Sequence, residues 1–286
     1  MIIRLSGADF SANNIGTIQL IKEVTQETRD LLANYSREFT KTQKLAVQDF
    51  IDGLKSEGIW SHIENLYIPA LAGDLSESLF DVKGGVVDAN PSADYYLIES
   101  NGLRTNFYSS STVIPTNSRA IINVNGSYMN QHYMAYIADN VWGDENHYSY
   151  EAFLTSYNNS AYRGLNIAEN TNNNQWLLSI TGNPERAVQS VSNSKIGTTI
   201  KGFICISSGS DGTPIGIIDN HVDDQLSPTE TTDTTMTDVP TFIGCSVQGY
   251  AKCSTPMRII STGTAMDMTM MQKYNELCDA LIGKIC

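Results

Sequence analysis

After Gly73 the character of this sequence changes: Asn, Ser, Thr and Tyr rise, helix formers fall, and the apolar runs shorten to four to six residues divided by turn clusters. Runs of that length between turn signals are strands, because helices need longer periodic segments to bury a face. Candidate strands fall at 95–99, 119–124, 133–138, 151–154, 175–181, 199–207, 213–218, 241–247 and 257–261. Asn101-Gly102, Asn125-Gly126 and Asp211-Gly212 are dipeptides that favour tight turns between them. Many short strands at this spacing predict a sandwich or jelly roll. A chain of 286 residues can bury about three quarters of its unfolded surface, so one large all-β domain with appendages accounts for its length. No repeat of about 20–50 residues supports a solenoid or propeller. The Thr-rich stretch PTETTDTTMTDV at 228–239 reads as a long loop between two strands.

Helical patterns flank this region. Thr40 and Gln43 form a capping box that starts a helix near Lys41, and Leu45, Val47, Phe50, Ile51 and Leu54 give it one apolar face. Gly58 ends it by taking the left-handed conformation. Ile59, Trp60, Ile63, Leu66 and Tyr67 then predict a second short helix that Pro69 stops, making a helical hairpin. Upstream, Ile21, Val24, Thr28, Leu31 and Tyr35 step by three and four over two heptads. Such a helix either packs on its own domain or docks on a partner. The first residues, with Ile3 and Leu5 around Arg4, form a short strand that joins the chain's own sheet or pairs with another subunit. Near the other end, Asp267 to Ile282 carries Met270, Met271, Tyr274, Leu277, Cys278, Leu281 and Ile282 on one face, with Gly283 as its stop. That helix is expected to pack beside the 41–66 hairpin and seal one side of the sandwich. The chain thus divides into an attachment segment at 1–38, with Ile3, Leu5, Ile21, Val24 and Leu31 as candidate assembly residues, and a body at 39–286.

Leu54, Gly58, Ile59, Trp60, Leu66 and Tyr67, followed by a polar entry into strands and closed by DMTMMQKYNELCDALIGKI, carry a family resemblance. From about Phe39 to Ile285 the chain resembles the concanavalin A-like (laminin-G-like jelly roll) domains of bacteriophage tail and other virion proteins. LFDVKGGVVDAN stands where those domains have an Asn-Leu-Lys-like strand. The opening GADFSANNIGTI resembles the starts of virion proteins from phages of gut Bacteroidales. The resemblance implies a mainly β, concanavalin A-like sandwich with an N-terminal helical segment and a C-terminal helix packed on it. It also implies a non-enzymatic structural subunit, of tail or head-fibre type, synthesised in the host cytoplasm and located in the virion. Its partners would be other virion proteins, further copies of itself and a host surface glycan. The competing readings are a carbohydrate-binding receptor module and a glycan depolymerase.

Charge and chemistry narrow the choice. With 18 Lys+Arg against 31 Asp+Glu, the net charge of −13 repels phosphate backbones, so nucleic acid is not an expected partner. No window approaches the roughly 18 continuous apolar residues of a membrane helix, and MIIRLSGADFSANN is not patterned as a secretory leader. The five cysteines form no CxxC pair or metal-finger spacing and are read as reduced thiols. Glucanases of this sandwich class place a Glu-x-Asp-x-Glu cluster on one strand, setting two carboxyls about 5–5.5 Å apart. The nearest acids here, Asp144-Glu145 with Glu151 and Asp219 with Asp223-Asp224, lack that spacing and read as solvated loop acids. Of the four histidines, His62 is a surface or packing residue, while His132 and His147 flank a Tyr-rich region and are candidates to line a pocket. Neither a cofactor fingerprint nor a metal motif is present. Ten of the fourteen tyrosines lie between Tyr95 and Tyr162, a pattern that serves a sandwich core and a sugar-binding surface equally well. Within NVWGDENHYSY at 140–150, Trp142, Asp144, His147, Tyr148 and Tyr150 are the candidate ligand-binding residues.

Overall fold

The computed structural model describes residues 2–4, 19–87, 91–105, 114–115, 118, 120–124, 130–141, 150–158, 161–170, 175–182, 188–192, 199–208, 214–218, 221–223, 239–245 and 255–286. The chain opens with β1 (Ile2–Arg4), β2 (Gln19–Ile21), α1 (Gln26–Leu32) and α2 (Lys41–Ser56). Then come β3 (Ile63–Tyr67), β4 (Phe80–Asp81), β5 (Val86–Val87), β6 (Tyr96–Glu99), β7 (Gly102–Thr105), β8 (Ala120–Val124), β9 (Gln131–Val141) and β10 (Tyr150–Asn158). They are followed by β11 (Ala161–Asn170), β12 (Gln175–Gly182), β13 (Val188–Ser192), β14 (Thr199–Ser208), β15 (Pro214–Ile218), β16 (His221–Asp223), β17 (Val239–Ile243), β18 (Met257–Thr264) and α3 (Met268–Ile285).

Two antiparallel sheets face each other. One runs β13-β12-β11-β10-β17-β8. The other has ten strands, ordered β16-β15-β14-β9-β18-β3-β4-β5 with β6 and β7 branching from β18. The chain changes sheet at β7 to β8, β8 to β9, β9 to β10, β13 to β14, β16 to β17 and β17 to β18. This is the sandwich expected from the strand spacing, built of long-range rather than hairpin-only pairings.

The ten-stranded sheet is apolar on both faces. Side chains alternate along a strand, so Tyr133, Ala135 and Ile137 of β9 join Phe153, Leu154 and Ile243 in the core between the sheets. Met134 and Tyr136 of the same strand join Phe203, Ile259, Phe50, Leu54 and Tyr274 in a second core beneath the helices. Burial on both sides is why QHYMAYIA and GFICI read as nearly continuous apolar runs instead of alternating ones. The helices α2 and α3 pack side by side on that outer face, with the Phe50 and Tyr274 ring centroids 6.4 Å apart. A Cβ on Gly53 would run into Leu277, so the missing side chain lets the two helices approach closely.

Local signals explain α2 well. The Thr40 hydroxyl accepts from Gln43 N, the Gln43 amide oxygen accepts from Thr40 N at 3.0 Å, and Gly58 follows the helix at φ 75°. Several helix expectations are overturned. The predicted second helix of the hairpin is a single 3-10 turn, Ile59–Ser61, leading into β3, so Ile63, Leu66 and Tyr67 lie on a strand paired with β18. The three-four stepping from Ile21 to Tyr35 is not one helix either. Ile21 belongs to β2, and α1 starts only after Thr25, whose side chain caps it by accepting from Thr28 N. A local cap thus outweighs a two-heptad seam. Gly283 does not stop the last helix, which begins on the Asp267 cap and continues to Ile285. The Thr-rich 228–239 stretch lies outside the described residues apart from Val239, the first residue of β17.

Candidate functional site

The segment at 142–149 joins β9, in the ten-stranded sheet, to β10, in the six-stranded one. Trp142, Asp144, His147 and Tyr148 fall in it and lie outside the described residues; Tyr150 is the first residue of β10. The frame that presents them is defined by register. Val141 pairs with Thr199, the first residue of β14, and Tyr150 pairs with Ala168 near the end of β11. Asn170 then pairs with Gln175, and Gln175 with Ser192. A second crossing, 193–198, joins β13 to β14 at the same strand ends. The candidate segment is therefore fixed at both ends by paired strands. Loops on such a frame are where binding residues concentrate, since the scaffold limits how far their ends can move.

The tyrosine cluster divides. Tyr96 and Tyr133 are core residues, each 1% exposed. The Tyr96 hydroxyl donates to the Ile243 carbonyl at 3.0 Å and accepts from Ala120 N at 3.2 Å, and Tyr133 donates to Gln131 Oε1 at 3.2 Å. Tyr136 reaches the helix layer and donates to Asp279 Oδ1 at 2.7 Å. Burial, with that carboxylate beside it, holds the Tyr136 phenol protonated far above the usual range. Tyr95 packs half-buried against the inter-sheet core. Of the others, Tyr108, Tyr128 and Tyr148 are outside the described residues, and Tyr150, Tyr157 and Tyr162 sit on β10 and β11.

His132 is not a pocket residue. It is fully buried, with Nδ1 2.8 Å from the Thr264 carbonyl oxygen and Nε2 3.2 Å from Ser261 Oγ. Burial pulls its pKa from 6.5 down to about 4; the bond to the Thr264 carbonyl opposes that shift and nearby His62 adds to it. Asp81, also buried, is a structural acid that accepts from Leu66 N and Lys83 N at 3.0 Å each. Cys205, Cys245 and Cys278 are buried free thiols and Cys286 is an exposed one. Burial pushes the Cys205 and Cys278 thiols well up, so neither is an activated nucleophile. Among the described residues no three His, Cys, Asp or Glu side chains gather to hold a metal ion. No described helix is long and apolar enough to cross a membrane. A groove of about 280 Å³ lies between α2 and α3, lined mainly by Leu45, Ala46, Phe50, Leu277, Ala280 and Leu281.

No protein-family model matches this sequence, and no curated protein matches it. Among solved structures, the chain is similar to the binding domain of botulinum neurotoxin serotype D at 12% identity and a TM-score of 0.48, over 77% of this chain and 51% of that one. The ligand-binding domain of the same serotype, in complex with N-acetylneuraminic acid, aligns at 15% identity and a TM-score of 0.46, over 76% of this chain and 50% of that one. A sialidase of Trypanosoma rangeli aligns at 11% identity and a TM-score of 0.47, over 82% of this chain and 39% of that one. The chain thus spans about half the length of the toxin domain and two fifths of the sialidase. At TM-scores below 0.5 these are distant likenesses between β-rich proteins.

Proposed function

We propose that this chain is a non-enzymatic structural subunit of a bacteriophage virion, of tail or head-fibre type, whose sandwich presents the 142–149 segment to a host surface glycan. The observation that carries the glycan reading is the anchoring of that segment between Val141 and Tyr150, at a crossing between the two sheets. Trp, Tyr, His and Asp are the side chains such a loop uses on sugars, aromatic faces stacking on the ring and polar tips taking its hydroxyls. The virion reading rests on the resemblance carried by Leu54, Gly58, Ile59, Trp60, Leu66, Tyr67 and the closing helix. Other virion proteins and further copies of the chain are its proposed partners.

Two measurements test the reading separately. Mass spectrometry of purified particles should find the chain; absence from particles overturns the virion role. Host surface polysaccharide should bind the protein and lose roughly tenfold or more in affinity on Trp142→Ala, the scale of one buried aromatic contact. Unchanged binding by that variant overturns the assignment of the segment. Release of reducing ends that disappears in Glu145→Gln or Glu151→Gln would make the protein a depolymerase instead.

A further inference from the structure

We propose that the groove between α2 and α3 seats the β1–β2 strand pair of a second copy of this chain, two copies exchanging their pairs about a two-fold axis. This deepens the reading of further copies as partners and rests on that part of it alone. The groove is the acceptor. It is open, about 280 Å³ in volume and mostly aliphatic: Leu45 and Ala46 of α2 and Leu277 of α3 are half-buried, and Ala280 is exposed. Thr42 to Asp49 on one wall and Leu277 to Lys284 on the other each rise about 10 Å. Asp49 and Lys284 are its two charged lining residues, both exposed, so an apolar occupant can cover the groove without burying a charge.

The donor stands beside it. Lys22, the residue after β2, pairs with Asp49 of the groove, and Thr25 N donates to Gln48 Oε1 at 2.8 Å, so the base of the strand pair is fastened to α2. Beyond that base the pair has no place in the sandwich. Among the described residues its strands pair only with each other, and no residue of the pair lines the groove. Each strand is three residues long, about 10 Å, which matches the groove walls. Ile2 pairs with Ile21 and Ile3 with Leu20, so four of the six residues are aliphatic. A strand pair of this size needs an apolar cover in water. That cover is the groove of a neighbour. A pair that starts at the rim and leaves its own groove open meets the same rim of a second copy. Because donor and acceptor share one rim, a two-fold axis beside Asp49 satisfies both contacts at once. The contact therefore closes as a dimer instead of running on as a fibre, and it covers eight aliphatic residues, four from each copy.

Sedimentation equilibrium tests the exchange. The full chain should show a reversible monomer–dimer equilibrium, and the chain lacking residues 1–21 should be a monomer. Ala280→Glu keeps a good helix former at an exposed position and puts a charge where the aliphatic pair would sit. A tenfold loss at each contact, about the scale of one interface anchor, should weaken the dimer roughly a hundredfold, because the contact is made twice. Thr42→Glu blocks the other wall from an exposed position in the first turn of α2, where an acid suits the helix, and it replaces Ala280→Glu if that variant does not unfold cooperatively. A dimer that survives removal of residues 1–21, or that both variants leave unchanged, overturns the exchange while self-association stands elsewhere on the surface. An assembly larger than a dimer overturns the two-fold closure. A monomeric full chain overturns the exchange and the reading of copies as partners together; if hydrogen exchange at β1–β2 then speeds up in Ala280→Glu, the pair occupies its own groove.

Discussion

Tyr96 shows how one side chain can hold two layers together. It lies on β6 in the ten-stranded sheet, while its hydroxyl bonds Ile243 O and Ala120 N of the six-stranded one and lies 3.6 Å from Cys245 Sγ. Replacing it with Phe keeps the ring in the core but leaves that N–H and carbonyl without the hydroxyl. The expected cost is about 1–3 kcal/mol, the range for leaving buried polar groups unsatisfied. Urea unfolding should show a lower midpoint with an unchanged slope, since the surface exposed on unfolding does not change. A midpoint shift that, multiplied by the slope, amounts to less than about 0.3 kcal/mol would mean that the hydroxyl contributes nothing to joining the sheets. The same residue explains why the tyrosine cluster could not be divided from sequence. An apolar ring with a polar tip serves a core that has a carbonyl within reach as well as it serves a sugar, and the difference lies in Ile243, 147 positions away.

Elements were legible where their signals are local. Thr40, Gln43 and Gly58 marked both ends of α2 within a few residues, and nine of the strands lie on or beside the short apolar runs between turn pairs. The stretch from Ile59 to Tyr67 was not legible, because Ile63, Leu66 and Tyr67 fit a helical face and also a strand buried on both sides. What decides is pairing with β18: Asn65 meets Thr262, 197 positions on. The strands β11 and β13 were missed for a related reason, since their sequences AYRGLNIAEN and VQSVS are too polar to stand out without their neighbours. In the candidate site, loss of strand periodicity marks 140–150, which overlaps the end of β9 by two residues and the start of β10 by one, whereas the role of the segment between them as a crossing between sheets follows from topology alone. Gly283 is the opposite error, a stop signal that the helix ignores. It is exposed, helical, and has no atom within 4 Å of where a Cβ would stand. Gly283→Ala should therefore stabilise α3, by roughly 0.5–1 kcal/mol from the lower backbone entropy of the unfolded chain. A higher unfolding midpoint is the expected result; a lower one would mean that α3 needs its glycine for a contact outside the described residues.

The N-terminal region divides at the level of the whole molecule, and not at residue 38. Among the described residues β1 and β2 pair only with each other, Ile2 opposite Ile21 and Arg4 opposite Gln19, in a two-stranded sheet separate from both layers of the sandwich. A pair that short is marginal in water unless something covers it. From Lys22 onward the chain is tied to the body. Lys22 pairs with Asp49 and Lys55 with Glu27, although exposed ion pairs of this kind contribute little. More matters further in: Thr25 N donates to the Gln48 side chain at 2.8 Å, Leu31 packs half-buried, and Leu32 and Tyr35 are 6% exposed in the core beneath the helices. Arg37 donates to Ala70 O and to Ile285 O at 3.0 Å each, fastening this segment to the end of α3. Of the five candidate assembly residues, Leu31 is thus committed to the chain's own body, Val24 lies just before α1, and Ile3 and Ile21 remain on the separate strand pair; Leu5 is outside the described residues. Two truncations separate docking from folding. Removing residues 1–21 should leave cooperative unfolding intact and abolish incorporation into oligomers or particles. Removing residues 1–35 should in addition destabilise the body, because Leu32 and Tyr35 leave a core in which one large side chain is worth roughly 2–5 kcal/mol. If the shorter truncation assembles normally, the strand pair has no docking role. If the longer one unfolds at the same midpoint as the full chain, α1 and the residues that follow it are not part of the folded body.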